Sequence, residues 1–212
     1  MGFDPKQDAL QKEETNRRIL DAGFCIFSEM SIDKVSMANV ANKAGIGIAT
    51  LYRYYRTKPE LVVAVGTHVW SNFIRNYTPI RNDDKITAVE ELEFFLDSFL
   101  ELYKNHKKLL CFNQFFNIYI RNESVSQKTL NSYNEMVDQL AMRFHKTYVK
   151  GKNDKTLCTE VSENSMFLSI MHLMLAAITR YAVGLAYEKD IESDNELVLL
   201  KNMLMHEFSR KK

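Results

Sequence analysis

Apolar positions recur along most of the chain at spacings of three and four, without the two-residue alternation, bounded by turn residues, that marks strands. Leu20, Phe24 and Phe27, flanked by Ile19, Gly23 and Ile26, form one such stripe and predict a first helix over roughly residues 11–30. Short helices are expected around 36–44 and 48–55. Thr57-Lys58-Pro59-Glu60 has the form of a capping box, with Thr57 as N-cap, Glu60 three residues on, and Pro59 early in the first turn. It predicts a fourth helix from Lys58 to about Tyr77. Longer helices are expected at about 86–105, 107–122, 125–150, 160–188 and 193–210, separated by polar breaks at Thr78–Lys85, Gly151–Lys155 and Glu188–Glu196. Only Pro5, Pro59 and Pro79 are prolines, and beyond Pro79 the glycines are Gly151 and Gly184. The expected fold is all-α: a small N-terminal three-helix unit joined by a fourth helix to a C-terminal helical bundle.

Length and composition narrow this picture little. A chain of 212 residues suits one domain or two, and 46% hydrophobic with 26% charged residues is the balance of an ordinary globular protein with a real core. The formal net charge of +1 gives no support to a nucleic-acid partner, so any such partner must be read from how charge is distributed. Cys25, Cys111 and Cys158 are widely spaced, with no paired CxxC, which fits a reducing cytosol. The first residues lack the apolar segment of an export signal, and Lys6 stands where a myristoylation motif needs Ser or Thr. The longest apolar run, Met166–Ile178, is too short to span a bilayer and reads as a buried helix. A cytoplasmic protein with no membrane partner is expected.

The stretch VANKAGIGIATLYRYYRTKPEL, Val40 to Leu61, changes the picture. Ala41, Gly45 and Leu51 have the spacing of a helix-turn-helix: a small residue where two helices approach, a glycine where the turn takes positive φ, and an apolar residue on the inner face of the second helix. Val40, Ala44 and Ile46 supply further inward contacts. From Lys34 to Pro59 the basic residues are Lys34, Lys43, Arg53, Arg56 and Lys58, with no acidic residue between them. Asp33 and Glu60 mark the edges of that window. A segment that excludes carboxylates while keeping its polar faces basic suits phosphate binding, where each contact gains from counterion release. A solvated basic face is the alternative, and it accounts poorly for Tyr52, Tyr54 and Tyr55.

GIGIATLYRYYRTKPEL resembles the recognition-helix signature of the TetR family of bacterial transcriptional regulators, over about Asn16 to Leu61. The resemblance implies a helix-turn-helix DNA-binding domain at 1–60 and a helical ligand-binding and dimerisation domain at 61–212. It implies that Thr50, Tyr52 and Tyr54 contact phosphates or base edges, that Leu51 and Tyr55 pack inward, and that Lys58 meets a phosphate beside a helix N-terminus. Ser36 offers a hydroxyl for a backbone contact, and Lys43 belongs to the basic window. Two features depart from the pattern: Ser31 replaces the glycine that often ends the first helix, and Gly47, Ile48 and Ala49 replace a polar start to the recognition helix. Ile48 and Ala49 are expected to read thymine methyls, leaving Arg53 as the guanine reader.

Between Glu93 and Ile120 aromatics are dense, and helical spacing places Phe95, Phe99 and Tyr103 on one face and Phe112, Phe115 or Phe116, and Tyr119 on another. Core packing and a ligand pocket want the same apolar lining, and Tyr119, Asn113 and His172 could add the polar groups a pocket needs. Candidate ligand-binding residues are Phe95, Phe99, Phe112, Asn113, Phe116, Tyr119, Met171, His172 and Leu175. The resemblance implies a homodimer through the last two long helices, with recognition helices about 34–36 Å apart on a pseudo-palindrome. The histidines show no HExxH or other metal-ligand spacing, and there is no Gly-rich phosphate loop, so neither an enzyme nor a bound metal is expected, and no obligatory cofactor. The expected function is that of a DNA-binding transcriptional regulator acting on double-stranded DNA, a ligand-responsive homodimeric repressor with an unknown small-molecule effector. The alternative is a helical small-molecule sensor or carrier that binds no operator.

Overall fold

A computed structural model describes residues 5–77, 85–185 and 193–210. Among them lie nine α-helices: α1 (Pro5–Phe27), α2 (Met37–Ala44), α3 (Ile48–Tyr54), α4 (Lys58–Tyr77), α5 (Ala88–Asn105), α6 (Lys107–Asn122), α7 (Gln127–Asp154), α8 (Glu163–Ala182) and α9 (Ser193–Phe208). A single 3-10 turn, Ile32–Lys34, precedes α2. The described residues contain no strand beyond an isolated bridge between Leu157 and Ser209. The fold is all-α, as the periodicity predicts.

Element boundaries differ from expectation at three places. α1 opens at Pro5 rather than near residue 11, because its first turns have no apolar stripe to announce them. Ion pairs one turn apart hold the polar part of this helix instead, Asp8 with Lys12 at 2.7 Å and Glu14 with Arg17 at 2.7 Å. α7 runs through Gly151 to Asp154, past the break expected there. Gly151 is needed for close packing, since a Cβ would lie 2.6 Å from the buried Leu157 side chain, and the left-handed residue that follows the helix is Lys155 at φ 59°. α8 is a 20-residue helix around the expected 13-residue run, long and apolar enough to cross a membrane, and ends at Ala182. The expected breaks at Thr78–Lys85 and Glu188–Glu196 fall largely outside the described residues.

The chain forms two compact units that interleave in sequence. The first holds the residues up to Trp70 together with Phe112–Asn134; the second holds Ser71–Cys111 and the residues from Glu135 onward. α4, α6 and α7 therefore each contribute residues to both. In the first unit Ile19, Leu20, Phe27, Ile32, Val40, Leu51, Leu61 and Val65 are buried. Gly23 sits so close to Val65 that a Cβ would lie 2.8 Å from its methyl. Phe24 meets Phe112 edge-on at 5.8 Å, Phe112 meets Phe116 at 5.5 Å, and Phe116 meets Tyr133 at 4.9 Å. This aromatic chain makes the second half of α6 and the start of α7 part of the core that carries the helix-turn-helix.

In the second unit α5 packs on α8 and α9, which pack on each other. Leu92, Leu96, Leu102, Met166, Ile170, Met174, Leu197 and Leu204 fill the space between them. Asp154, at the end of α7, accepts the Ala88 N–H at 2.7 Å and so caps α5 from outside. Thr156 accepts the Val89 N–H through its hydroxyl and the Arg210 N–H through its carbonyl, which ties the end of α9 to the same corner.

Candidate nucleic-acid interface

The helix-turn-helix is built from short-range signals. Ser36 caps α2 through a complete capping box: its Oγ accepts the Asn39 N–H at 3.2 Å, and Asn39 Oδ1 accepts the Ser36 N–H at 2.8 Å. Met37, Val40, Ala41 and Ala44 give α2 its buried side. Gly45 then takes the left-handed conformation at φ 65°, and the Ile46 N–H closes on the Ala41 carbonyl at 3.0 Å. Arg18 of α1 reinforces that end by donating to the Ala44 carbonyl at 2.5 Å and the Gly45 carbonyl at 3.2 Å. A cation placed there also complements the negative end of the helix dipole.

α3 starts at Gly47 without a side-chain cap and presents three kinds of side. Leu51 points inward and is fully buried. Tyr55 backs it, donating its hydroxyl to Asn16 Oδ1 at 2.7 Å, and burial pushes its pKa up to about 12. The opposite ridge, a half-turn from Leu51, carries Ala49 and Arg53, with Tyr52 beside it; all three are exposed. Ile48 is 42% and Tyr52 48% exposed, large for such side chains on a helix whose other face is core. The third side carries Thr50 and Tyr54, both half-buried, with Arg53 Nη2 reaching Thr50 Oγ1 at 3.4 Å and the Tyr54 hydroxyl donating to the Lys12 carbonyl at 3.2 Å.

The remaining expected contacts are placed less simply. Lys43 is exposed on the last turn of α2, while the Ser36 hydroxyl is already engaged with Asn39. Lys58 is half-buried: its ammonium donates to the Asp33 carbonyl at 3.2 Å and lies 5.4 Å from the centre of the Tyr119 ring, and burial lowers its pKa. The cap of α4 is split, since Glu60 N–H bonds Thr57 Oγ1 at 3.3 Å while the Glu60 carboxylate accepts from Arg56 N–H at 2.9 Å. Lys58 therefore serves the fold of the first unit before any phosphate arrives.

The candidate ligand residues fall into separate groups. Phe112, Asn113, Phe116 and Tyr119 are buried in the first unit. Phe95 and Phe99, in contact at 5.4 Å, belong to the second, with Phe95 also meeting Phe144 at 5.7 Å. On α8, Met171 and Leu175 are half-buried and His172 is exposed. Among the described residues no group of three or more His, Cys, Asp or Glu is arranged to hold a metal ion.

Residues 19–65 match the N-terminal domain of the bacterial regulatory proteins of the TetR family. That segment is a TetR-family helix-turn-helix domain. The family consists of transcriptional regulators, not enzymes, and the helix-turn-helix above is its DNA-binding element. The chain is 32% identical over 98 residues to an HTH-type transcriptional regulator of Staphylococcus aureus strain MRSA252, covering 46% of this chain and 52% of that protein. It thus spans about half the length of that relative. A second regulator, from Staphylococcus aureus strain MSSA476, is 26% identical over 86% of this chain and 97% of its own length. Two solved structures share the fold: a putative transcriptional regulator from Saccharomonospora viridis in complex with choline, with a TM-score of 0.73 at 14% identity over 94% of this chain and 100% of that one, and the regulator FadR from Bacillus subtilis in complex with stearoyl-CoA, with a TM-score of 0.71 at 15% identity over 90% and 98%.

Around this TetR-type domain, sequence reasoning missed the part α1 plays. Arg18 caps α2, Asn16 holds Tyr55, and Asp8, Gln11, Lys12 and Thr15 stand opposite Thr50, Arg53 and Tyr54 across a cleft of about 530 Å³. The spacing of Asp8, Gln11, Lys12 and Thr15 was the available signal, because residues at i, i+3, i+4 and i+7 share one helix face even when all are polar.

Proposed function

We propose that the chain is a ligand-responsive homodimeric repressor that binds a pseudo-palindromic operator in double-stranded DNA, acting in the cytoplasm. Residues 1–60 would serve DNA binding, and 61–212 ligand binding and dimerisation. The observation that carries this reading is the outward ridge of α3, where Ile48, Ala49, Tyr52 and Arg53 are exposed on a helix anchored from behind by Leu51 and Tyr55. Two methyl-bearing side chains beside one guanidinium suit a groove that presents thymine methyls and a guanine. Selection of random duplexes on the purified protein tests it. A two-fold symmetric motif should be retained, Tyr52→Ala should weaken it, and Arg53→Ala should relax one position in each half-site, losing about 1–3 kcal/mol of discrimination there. An Arg53→Ala protein that weakens equally on every sequence would remove the guanine-reading role.

The dimer reading rests on α8 and α9. Leu168, His172, Ala176 and Leu173 form an exposed side of α8, and Val198, Leu199 and Met203 an exposed side of α9, with Leu199 and Met203 each 60% exposed. An apolar surface of this kind on two packed helices suits an isologous interface. Leu199→Glu with Met203→Glu should convert a dimer, measured by light scattering, into a monomer with weakened operator affinity.

The effector is unidentified. The choline and stearoyl-CoA complexes show what those two relatives in fold bind. Here the proposed ligand-binding residues are Phe112, Asn113, Phe116 and Tyr119 within the first unit and, separately, Phe95, Phe99, Met171, His172 and Leu175 within the second. Release from DNA requires an effector that binds the DNA-incompetent state more tightly, since equal affinity for both states shifts nothing.

A further inference from the structure

The first turns of α1 precede the family-matched segment, and none of their residues is among the DNA contacts proposed above. Asp8, Gln11, Lys12 and Thr15 nevertheless form one wall of the cleft whose other wall is Thr50, Arg53 and Tyr54, with Ile46 also lining it. The Tyr54 hydroxyl, donated to the Lys12 carbonyl at 3.2 Å, fixes the two walls together through backbone rather than side chain. Arg53 lies both on the outward ridge of α3 and on this cleft, so a DNA strand lying along the ridge passes the cleft mouth.

Two cations border that mouth, Lys12 and Arg53, with one carboxylate, Asp8, paired to Lys12 at 2.7 Å. The Lys12 side chain is 68% exposed, and an exposed pair of this kind is worth little to the free protein. A phosphate can therefore take over Lys12 at small expense, while Asp8 then stands beside it as a like charge.

Resting on the reading of α3 as the DNA-facing helix, we propose that the start of α1 is a second DNA-contact element: Lys12 binds a backbone phosphate next to Arg53, and Asp8 opposes that contact and limits affinity. Lys12 positions without reading sequence, whereas Arg53 reads a base. The cleft gains affinity from charge and none from sequence.

The test uses the full-length protein with two probes, the duplex enriched by selection and a mixed-sequence duplex, each titrated between about 50 and 200 mM salt. Lys12→Gln should weaken binding to both probes by about fivefold per contact at 0.15 M salt, about thirtyfold for two subunits, and reduce the slope of log affinity against log salt by about 1.8. Asp8→Asn should strengthen binding and steepen that slope. The selected motif should stay unchanged in both variants. Thermal unfolding should hold steady, because the bond from Tyr54 goes to the Lys12 backbone. If Tyr52→Ala and Arg53→Ala weaken binding while Lys12→Gln and Asp8→Asn match the parent in affinity and salt slope, the α1 contact is refuted and the α3 reading stands. If Tyr52→Ala and Arg53→Ala themselves bind as the parent does, the α3 reading fails first. A Lys12→Gln protein that melts markedly lower would assign Lys12 to the fold and overturn the contact.

Discussion

Gly45 and Gly47 flank Ile46 in the helix-turn-helix and should respond unequally to the same substitution. Gly45 is left-handed at φ 65°, which costs an L-residue about 1–2 kcal/mol. An added Cβ would also lie 3.0 Å from Arg18 Nη2, the donor that holds the Ala44 and Gly45 carbonyls. Displacing that guanidinium forfeits a charge-assisted hydrogen bond worth about 1.5–3 kcal/mol at most, and less if the flexible side chain re-forms it. Gly45→Ala should therefore destabilise by about 2–4 kcal/mol. For a chain of this size that is roughly 5–15 °C in Tm. Gly47 has φ −70° and ψ 146°, with no atom within 4 Å of an added Cβ. Gly47→Ala gains from a stiffer unfolded chain and loses a little as a poorer N-cap, so it should stay within about 0.5 kcal/mol of the parent.

Circular dichroism followed through heat and denaturant, in the absence of DNA, measures both variants. Arg18→Ala with Gly45→Ala separates the two contributions, because the double variant should lose less than the sum of the singles if the Cβ acts partly through the guanidinium. Equal shifts for the two alanines, or a Gly45→Ala protein as stable as the parent, would refute the assignment of the turn to positive φ.

Three further outcomes are expected. Tyr55, Tyr119 and Tyr133 are each pushed up to about 12, chiefly by burial, so the folded first unit keeps protons that the unfolded chain releases near pH 10. Their stabilisation is full below about pH 10 and lost as pH rises toward 12, and urea midpoints across that window should fall less steeply in Tyr55→Phe. Asp154 is held below the usual carboxylate range: burial opposes this, but hydrogen bonds from Ala88 N–H and from the Thr156 hydroxyl and N–H outweigh it. Its contribution is complete above about pH 4 and lost as pH falls below that, so Asp154→Asn should flatten the acid limb of a stability profile. Phe116 is 2% exposed and wedged against Gly66, Phe112 and Tyr133, so Phe116→Ala should cost about 3–5 kcal/mol by denaturant unfolding.

The fold was legible where one side of a helix is apolar and the other is not. α2, α3, α4 and α6 lie within a residue of expectation because Ser36, Gly45, Thr57 and the apolar spacing of each element mark their ends locally. α1 was read short because its first turns are held by Asp8–Lys12 and Glu14–Arg17, and an ion-pair stripe looks like solvated chain until the helix is seen. Gly151 was read as a breaker because sequence cannot tell a glycine needed for positive φ from one needed for close approach, and only Leu157 distinguishes them. At the candidate interface, spacing assigned Leu51 inward and the family resemblance added Tyr55 inward and Tyr52 outward, as they lie, while Tyr54, grouped with Tyr52, is half-buried with its hydroxyl on the Lys12 carbonyl. The bond from Tyr54 to Lys12 and the seat of Lys58 on the Asp33 carbonyl depend on contacts across 42 and 25 residues, which no local pattern carries.

Net charge misleads here for a related reason. A formal charge of +1 describes the whole chain, but a phosphate feels charges within about 10 Å at 0.1 M salt. What decides attraction is where the acids stand. Glu60 closes the edge of the basic window and spends its carboxylate on the Arg56 N–H, while Glu14 is matched by Arg17. Among the described residues, Asp8 is the only acidic one lining the cleft beside Arg53. A nearly neutral protein can therefore present a locally basic helix, with the balance at its edge set by one carboxylate. Moving that single charge should change DNA affinity more than a change of the same size in the second unit, for example Glu93→Gln, which removes an exposed partner of Lys201. Equal effects of Asp8→Asn and Glu93→Gln on affinity and salt slope would mean that total charge governs after all.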